Sequence, residues 1–218
     1  MIVDKLVSDR QPADWYNRVT NECRGYPVDL VDIGSDELVV DIGANVGGFW
    51  NAWHHRFNNW MSVEASKWNT ELYKQNTGLD ITHHKAVWDS NDKVLKLQSY
   101  IVDGNKTESG SFGVTEFVSK GNGHGWQGEY EEVHTIDYPT LLGDKAIGLL
   151  KIDCEGAEYE FLINADLSNC KWIVGEFHNF LGGVNQMKLF THIKGTHDEI
   201  YSEGDGVNSH FVKLFKRR

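Results

Sequence analysis

Short apolar runs alternate along the chain with segments in which apolar side chains recur three and four positions apart, the pattern of strands alternating with amphipathic helices. Glu37-Leu-Val-Val-Asp41 predicts a strand and Ile42-Gly-Ala-Asn-Val-Gly-Gly48 a glycine turn, after which Phe49, Trp50, Trp53 and Phe57 mark the inward stripe of a helix. The cycle repeats with Trp60–Glu64 as strand, Lys67–Asn76 as a helix stopped by Gly78, and Ile81–Val87 as the next strand. It resumes with Ile147–Asp153 as strand, Gly156–Asn164 as helix and Lys171–Phe177 as strand. A helix near Asn185–Lys194 and two strands, Asp198–Ser202 and His210–Phe215, joined at Gly204-Asp-Gly206, finish the chain.

Strands separated by helices imply a parallel sheet with right-handed crossovers, and the closing hairpin adds one antiparallel strand. The expected fold class is α/β, doubly wound and mainly parallel. Two stretches break the cycle. Residues 1–35 are polar and mixed, with a helix over Asp14–Glu22, and read as an N-terminal extension packing on a domain of residues 36–218. Val94–Tyr100 reads as an added strand, and the glycines from Gly104 to Gly128 predict a long loop or irregular hairpin within an insertion over residues 103–132. The insertion holds Ser109, Ser111, Phe112, Phe117, His124, Trp126 and Tyr130, which fit a lid over a site and a surface insertion equally.

At 218 residues, with 40% hydrophobic and 24% charged residues, the composition is that of one folded globular domain. Lys and Arg number 21 against 32 Asp and Glu, and the net charge of −11 argues against nucleic acid or an anionic membrane as the main partner. Cys23, Cys154 and Cys170 show no paired spacing, and no apolar run has signal-peptide or membrane-spanning length. A reducing, cytoplasmic setting without membrane insertion is expected.

The turn after the first strand, with Gly43 and Gly47, lets backbone approach a ligand closely, and Glu64 ends the next strand 23 positions after Asp41. An acidic residue about 20 positions beyond such a turn can hydrogen-bond ribose hydroxyls, which makes this the layout of a nucleoside crevice. Asp41 narrows the choice of nucleoside. Pyrophosphate at a helix N-terminus is repelled by a neighbouring carboxylate, whereas S-adenosylmethionine (SAM) has no phosphate and carries a sulfonium and an ammonium. An NAD-dependent oxidoreductase is thereby the weaker reading.

With VVDIGANVGGF (Val39–Phe49), SVEAS (Ser62–Ser66), VHTIDYPTLL (Val133–Leu142), LLKIDCEGAEYEFL (Leu149–Leu162) and IVGEFH (Ile173–His178), the chain resembles the FkbM family of SAM-dependent methyltransferases. It departs from the family's usual VEP motif by placing Ala65 where proline is common. The resemblance implies a Rossmann-like class I methyltransferase with a seven-stranded sheet. It further implies methyl transfer from SAM, typically to a hydroxyl of a sugar, glycan or small metabolite. A methyltransferase fold that binds SAM without transfer is the alternative.

Gly43, Ala44, Asn45 and Gly47 in the turn, Asp41 before it, Glu64 with Ala65, Ala86 with Val87, and Asp153 are the cofactor candidates. In a doubly wound sheet the first and fourth main strands are neighbours, so Asp41 and Gly43 should face Asp153 and Glu155 across one crevice. Glu176 and His178 end the strand beyond, on the acceptor side. An alcohol must lose its proton as it attacks, and Asp153, His178, Glu155 and Glu176 are the candidates to take it. The same four are oxygen and nitrogen donors suited to a divalent cation, but no ligand spacing selects one, and a metal is not favoured. Lys151, two residues before Asp153 in a buried strand, needs a charge partner, with Asp41, Glu155 and Glu176 in reach. Glu158 and Glu160 read as partners of a helix N-terminus, Trp50 and Trp53 as core, and the terminal Lys213, Lys216, Arg217 and Arg218 as a solvated strand end.

Overall fold

The computed structural model describes residues 15–102, 107–114, 126–178, 183–204 and 210–218. Its central sheet contains β1 (Leu38–Ile42), β2 (Asn59–Glu64), β3 (His83–His84), β8 (Ile147–Ile152), β9 (Cys170–His178), β10 (His197–Glu203) and β11 (His210–Arg217). These seven strands run in the order β10-β11-β9-β8-β1-β2-β3. The β1, β2, β3, β8 and β9 neighbours pair in parallel, and β11 lies antiparallel to both β9 and β10. This is the doubly wound α/β sheet expected from the sequence, including its antiparallel finish. Every residue of β8 is buried, as a central parallel strand covered on both faces requires.

Successive residues of one strand feed opposite cores. Val40, Leu150, Ile173 and Phe215 pack with α4 (Tyr138–Leu142), α5 (Glu158–Leu162) and α6 (Gly183–Ile193). Val39, Leu149, Val174 and Leu214 pack on the other face against α1 (Trp15–Arg24) and α2 (Gly48–Trp53). The helix α3 (Lys67–Thr77) is started by the Ser66 side chain, which accepts from the Asn69 amide, and ends at Gly78 in the left-handed conformation. Between α1 and α2 the contact is close: a Cβ on Gly48 would lie 2.5 Å from a Val19 methyl. Trp53 donates its indole N–H to the Cys23 carbonyl at 3.0 Å, and Arg56 bonds the carbonyls of Val28 and Val31. The segment from Trp15 to Val31 is thus part of the second core, and Trp53 is buried as expected. Trp50 is not core; it is half-buried and stacks on His54.

The middle of the chain differs from its sequence reading. The strand expected over Ile81–Val87 is two short strands: β3 extends the central sheet, while β4 (Ala86–Trp88) turns away to pair with β7 (Trp126–Asp137). The glycine-rich stretch, expected as a loop or irregular hairpin, enters a second sheet of order β4-β7-β5-β6, with β5 (Val94–Val102) and β6 (Thr107–Val114). Backbone pairing along β5 overrides the glycines' weak strand preference. Phe117 and His124 lie outside the described residues, as do the side chains of Ser109, Ser111, Phe112, Trp126 and Tyr130. No helix among the described residues is long and apolar enough to cross a membrane.

Gly43 and Gly78 share nearly the same positive φ, 78° and 77°, but a Cβ on Gly43 would sit 1.8 Å from the Asp153 carbonyl oxygen, whereas one on Gly78 meets nothing within 4 Å. Gly78→Ala is expected to cost about 1–2 kcal/mol, the penalty of a left-handed L-residue. Gly43→Ala is expected to cost more than about 4 kcal/mol or to prevent folding. Urea denaturation of the two variants checks this; equal losses would contradict the close approach of β1 and β8 at this turn.

Candidate functional site

The C-terminal ends of β1, β2, β8 and β9 meet at one rim, as their parallel pairing dictates. The Gly43 and Ala44 amides both donate to the Val63 carbonyl at 3.0 Å, and the Asp153 amide donates to the Ile42 carbonyl at 3.1 Å. Backbone bonds therefore stitch the glycine turn to both neighbouring strands. Beneath the turn lies Lys151, only 2% exposed; its Nζ donates to the Gly43 carbonyl at 2.7 Å and sits 3.0 Å from Asp41 Oδ1 and 4.0 Å from Asp153 Oδ2. Burial alone pushes this ammonium toward its neutral form, but Asp41 and then Asp153 outweigh it and hold it charged.

Asp41 is the first correction to the sequence reading. Its carboxylate is fully buried, faces Lys151 and is not among the residues that line the cavity. Gly47 likewise stays off the cavity wall: it adopts φ 92° before α2, and its Cβ position is filled by Thr77. The other cofactor candidates come together as expected. Gly43, Ala44, Asn45, Glu64, Ala65, Ala86, Val87 and Asp153 all line a cavity of about 950 Å³, at the upper end of the range for small-molecule sites.

Glu64 edges that cavity in a fixed pose. Its Oε2 accepts from the Asn45 amide and its Oε1 from the Ser66 amide, both at 2.8 Å. Burial raises its carboxyl above the ordinary value, opposed by these donors. The Asn69 side chain is a third donor, and a carboxylate with about four acceptor positions still has capacity for a ligand hydroxyl. Ser66 and Lys67 are in turn held by Glu131 of β7, whose carboxylate accepts from the Ser66 hydroxyl and the Lys67 amide, tying the second sheet to this corner.

Asp153, Glu155 and Glu176 line the opposite wall. Burial first, and then the Glu176 carboxylate, push the Asp153 carboxyl up to about 8, against the pull of Lys151 and His178. His178 is the second correction. It is 4% exposed and off the cavity wall, with Nδ1 2.8 Å from Glu158 and Nε2 3.2 Å from Glu155 and 3.4 Å from Glu176. Burial lowers its pKa, but Glu155 and Glu158 dominate and hold it well above the ordinary histidine value. A ring held toward its charged form and turned away from the cavity is poorly placed to take a proton from a ligand there. Glu158, read from sequence as a helix-end residue, is instead fully buried and accepts from both the His178 amide and its ring.

Asp153, Glu176 and His178 bring potential ligand atoms within 4.8 Å of one another. The His178 ring is already engaged by Glu155 and Glu158, so a cation bound by these three would have to displace its proton. Lys213, expected in a solvated strand end, is instead buried and bonded to Glu199 and Ser202.

Sequence reasoning missed the wall supplied by the N-terminal segment. Trp15, Arg18, Val19, Glu22, Cys23 and Tyr26 line the cavity, and the Tyr26 hydroxyl donates to Asp153 Oδ2 at 3.1 Å. The amphipathic spacing of α1 showed that one face is buried, but not against what.

Residues 41–204 match the family model described as the methyltransferase FkbM domain. Among solved structures, the chain is similar to a ribosomal protein L11 methylase from Lactobacillus delbrueckii subsp. bulgaricus, with 10% identity, 93% of this chain and 79% of that chain covered, and a TM-score of 0.44. It is also similar to TrmK from M. capricolum in complex with S-adenosyl-homocysteine, with 12% identity, coverage of 97% and 69%, and a TM-score of 0.44. A TehB-like SAM-dependent methyltransferase from Corynebacterium glutamicum aligns with 10% identity, coverage of 94% and 88%, and a TM-score of 0.42. A search of curated proteins finds no match.

Asp41→Asn removes one charge of the buried pair, and the expected loss is about 3–5 kcal/mol in urea denaturation, while Asp41→Leu combined with Lys151→Met recovers much of it. A single-variant loss below about 1 kcal/mol would contradict the buried charged pair. For His178, imidazole ¹⁵N spectra at pH 7.5 are expected to show a doubly protonated ring. Because its folded pKa is raised, the stability it contributes is fully present below the unfolded value near 6.5 and is lost as pH rises through the folded value. A neutral ring at pH 7.5 would contradict the assignment.

Proposed function

The chain belongs to the FkbM methyltransferase family, and on that premise we propose that it transfers the methyl group of SAM to a hydroxyl oxygen of a sugar, glycan or small metabolite. The observation that carries the cofactor reading is the posture of Glu64, a buried carboxylate with one backbone donor on each oxygen at the edge of the cavity. That donor set fits the vicinal hydroxyls of a ribose. When bound, SAM supplies a methyl carbon on a sulfonium sulfur, and the electron pair of the breaking bond leaves with sulfur.

The chain's own residues do the rest. The turn from Gly43 to Asn45 and the walls from Ala86 and Val87 hold and enclose the cofactor. Asp153 is the proton acceptor: a carboxyl raised to about 8 is matched to an alcohol at neutral to mildly alkaline pH, better than one near 4. Glu155 and Glu176 flank it as acceptor-side walls, and His178 fixes both from behind.

The lining charges support the acceptor class. Glu22, Glu155, Glu176 and Glu203 line the cavity beyond Glu64 and Asp153; of the three lining cations, Lys151 is committed to Asp41, Arg18 pairs with Glu22, and Lys85 lies 3.7 Å from Asp92. Such a wall disfavours a phosphate-bearing acceptor and suits an uncharged or cationic hydroxyl compound. The overall charge of −11 points the same way, away from nucleic acid.

Isothermal calorimetry with SAM and S-adenosylhomocysteine (SAH) tests the cofactor reading. Binding by the wild type is expected, and Glu64→Gln is expected to weaken SAH at least about tenfold through loss of charge-assisted hydrogen bonds. No heat with either ligand, on folded protein, would overturn the proposal.

A further inference from the structure

The family match begins at Asp41, yet a side chain from before it reaches the candidate proton acceptor. Tyr26 is 6% exposed, its ring packs edge-on to Phe49 with centroids 5.9 Å apart, and its hydroxyl donates to Asp153 Oδ2 at 3.1 Å across 127 residues of sequence. Its backbone is equally fixed. The Tyr26 amide donates to the Cys23 carbonyl, and that carbonyl also takes the Trp53 indole N–H, so the end of α1 is pinned to α2.

Both contacts made by the Asp153 carboxylate fall on one oxygen. Oδ2 receives the Tyr26 hydroxyl and lies 4.0 Å from Lys151 Nζ, and Oδ1 has no hydrogen-bond or ion-pair partner among the described residues. The side chain keeps 29% of its surface exposed and lines the cavity, and Oδ1 is the oxygen not engaged by Tyr26 or Lys151. We propose that Tyr26 is a positioning residue, contributed from outside the family domain, that holds Asp153 by Oδ2 so that Oδ1 faces the acceptor hydroxyl.

The inference rests on the reading of Asp153 as proton acceptor. As the acceptor oxygen bonds to the methyl carbon, its proton passes to Oδ1, and Tyr26 keeps its own. Burial, and then the Asp153 charge, hold the Tyr26 phenol well above its ordinary pKa, so it remains a donor throughout the working range. A donor on a carboxylate favours the charged form. Tyr26 therefore sets where Asp153 titrates as well as where it points. The other charged groups facing Asp153 are Lys151 from β8, Glu176 and His178 from β9, and Glu155 from the following turn. They are the same in wild type and in a Tyr26 variant, so a difference between the two isolates the hydroxyl.

The test is a ¹³C NMR titration of selectively labelled aspartate carboxyls, with the Asp153 signal assigned by its loss in Asp153→Asn, run with and without saturating SAH. Tyr26→Phe keeps the ring and its packing on Phe49, and is expected to raise the Asp153 titration midpoint by about one unit. Placing 3-fluorotyrosine, a stronger donor, at position 26 is expected to lower it. This second variant decides the matter even if Tyr26→Phe folds poorly. A midpoint unmoved by either change in folded protein would overturn the inference. Absence of SAH binding in the wild type would instead defeat the methyl-transfer reading, while the titration without SAH still reports on Tyr26.

Discussion

One buried ammonium organises the rim of the sheet where the cavity lies. Lys151 is the only residue that touches the β1 carboxylate Asp41, the turn carbonyl of Gly43 and the β8-end carboxylate Asp153 together among the described contacts. A charge this deep is tolerated only where its partners are preformed, and β1–β8 pairing preforms them by placing Asp41 directly opposite Lys151. The ammonium then fixes the glycine turn against the neighbouring strand. Without it the backbone that walls the cavity would have a buried carbonyl and a buried carboxylate to satisfy.

The arrangement also divides the labour among the carboxylates. Asp41 faces Lys151, Glu158 accepts from His178, and Glu64 accepts from two backbone amides and the Asn69 side chain. Asp153 is left between opposing influences, with burial and Glu176 raising its pKa and Lys151 and His178 lowering it. A group balanced in this way can gain and lose a proton near neutral pH. The protonated His178, set behind Glu155 and Glu176, lets acidic groups crowd one wall without expelling one another.

Much of the fold could be read from residue order because its signals are local. Val39-Val40, Leu149-Leu150 and Ile173-Val174 are apolar on both faces, as buried parallel strands must be, and the glycine turn and Glu64 were in the expected register. What failed was the reach of side chains across the sheet. Asp41 reads as a cofactor contact because a sequence shows a charge beside a turn but does not show which of the acids in reach pairs with Lys151, 110 positions on. His178 reads from sequence as one of four candidate bases, and its surroundings are hidden for the same reason: the three carboxylates around it come from two loops or helices and its own strand. The glycine-rich stretch misled in the other direction, since pairing with β5 was decided by long-range register and not by local preference.

The proposed function places the methyl donor in one cavity, bounded by the glycine turn, Glu64, Asp153 and the N-terminal segment, with its reactive end toward Asp153. A crystal structure of the full chain with SAH measures this directly. The expected result is both ribose hydroxyls on Glu64 and the sulfur on the Asp153 side of the turn. A ligand seated elsewhere, or seated in this cavity with its ribose away from Glu64, would contradict it.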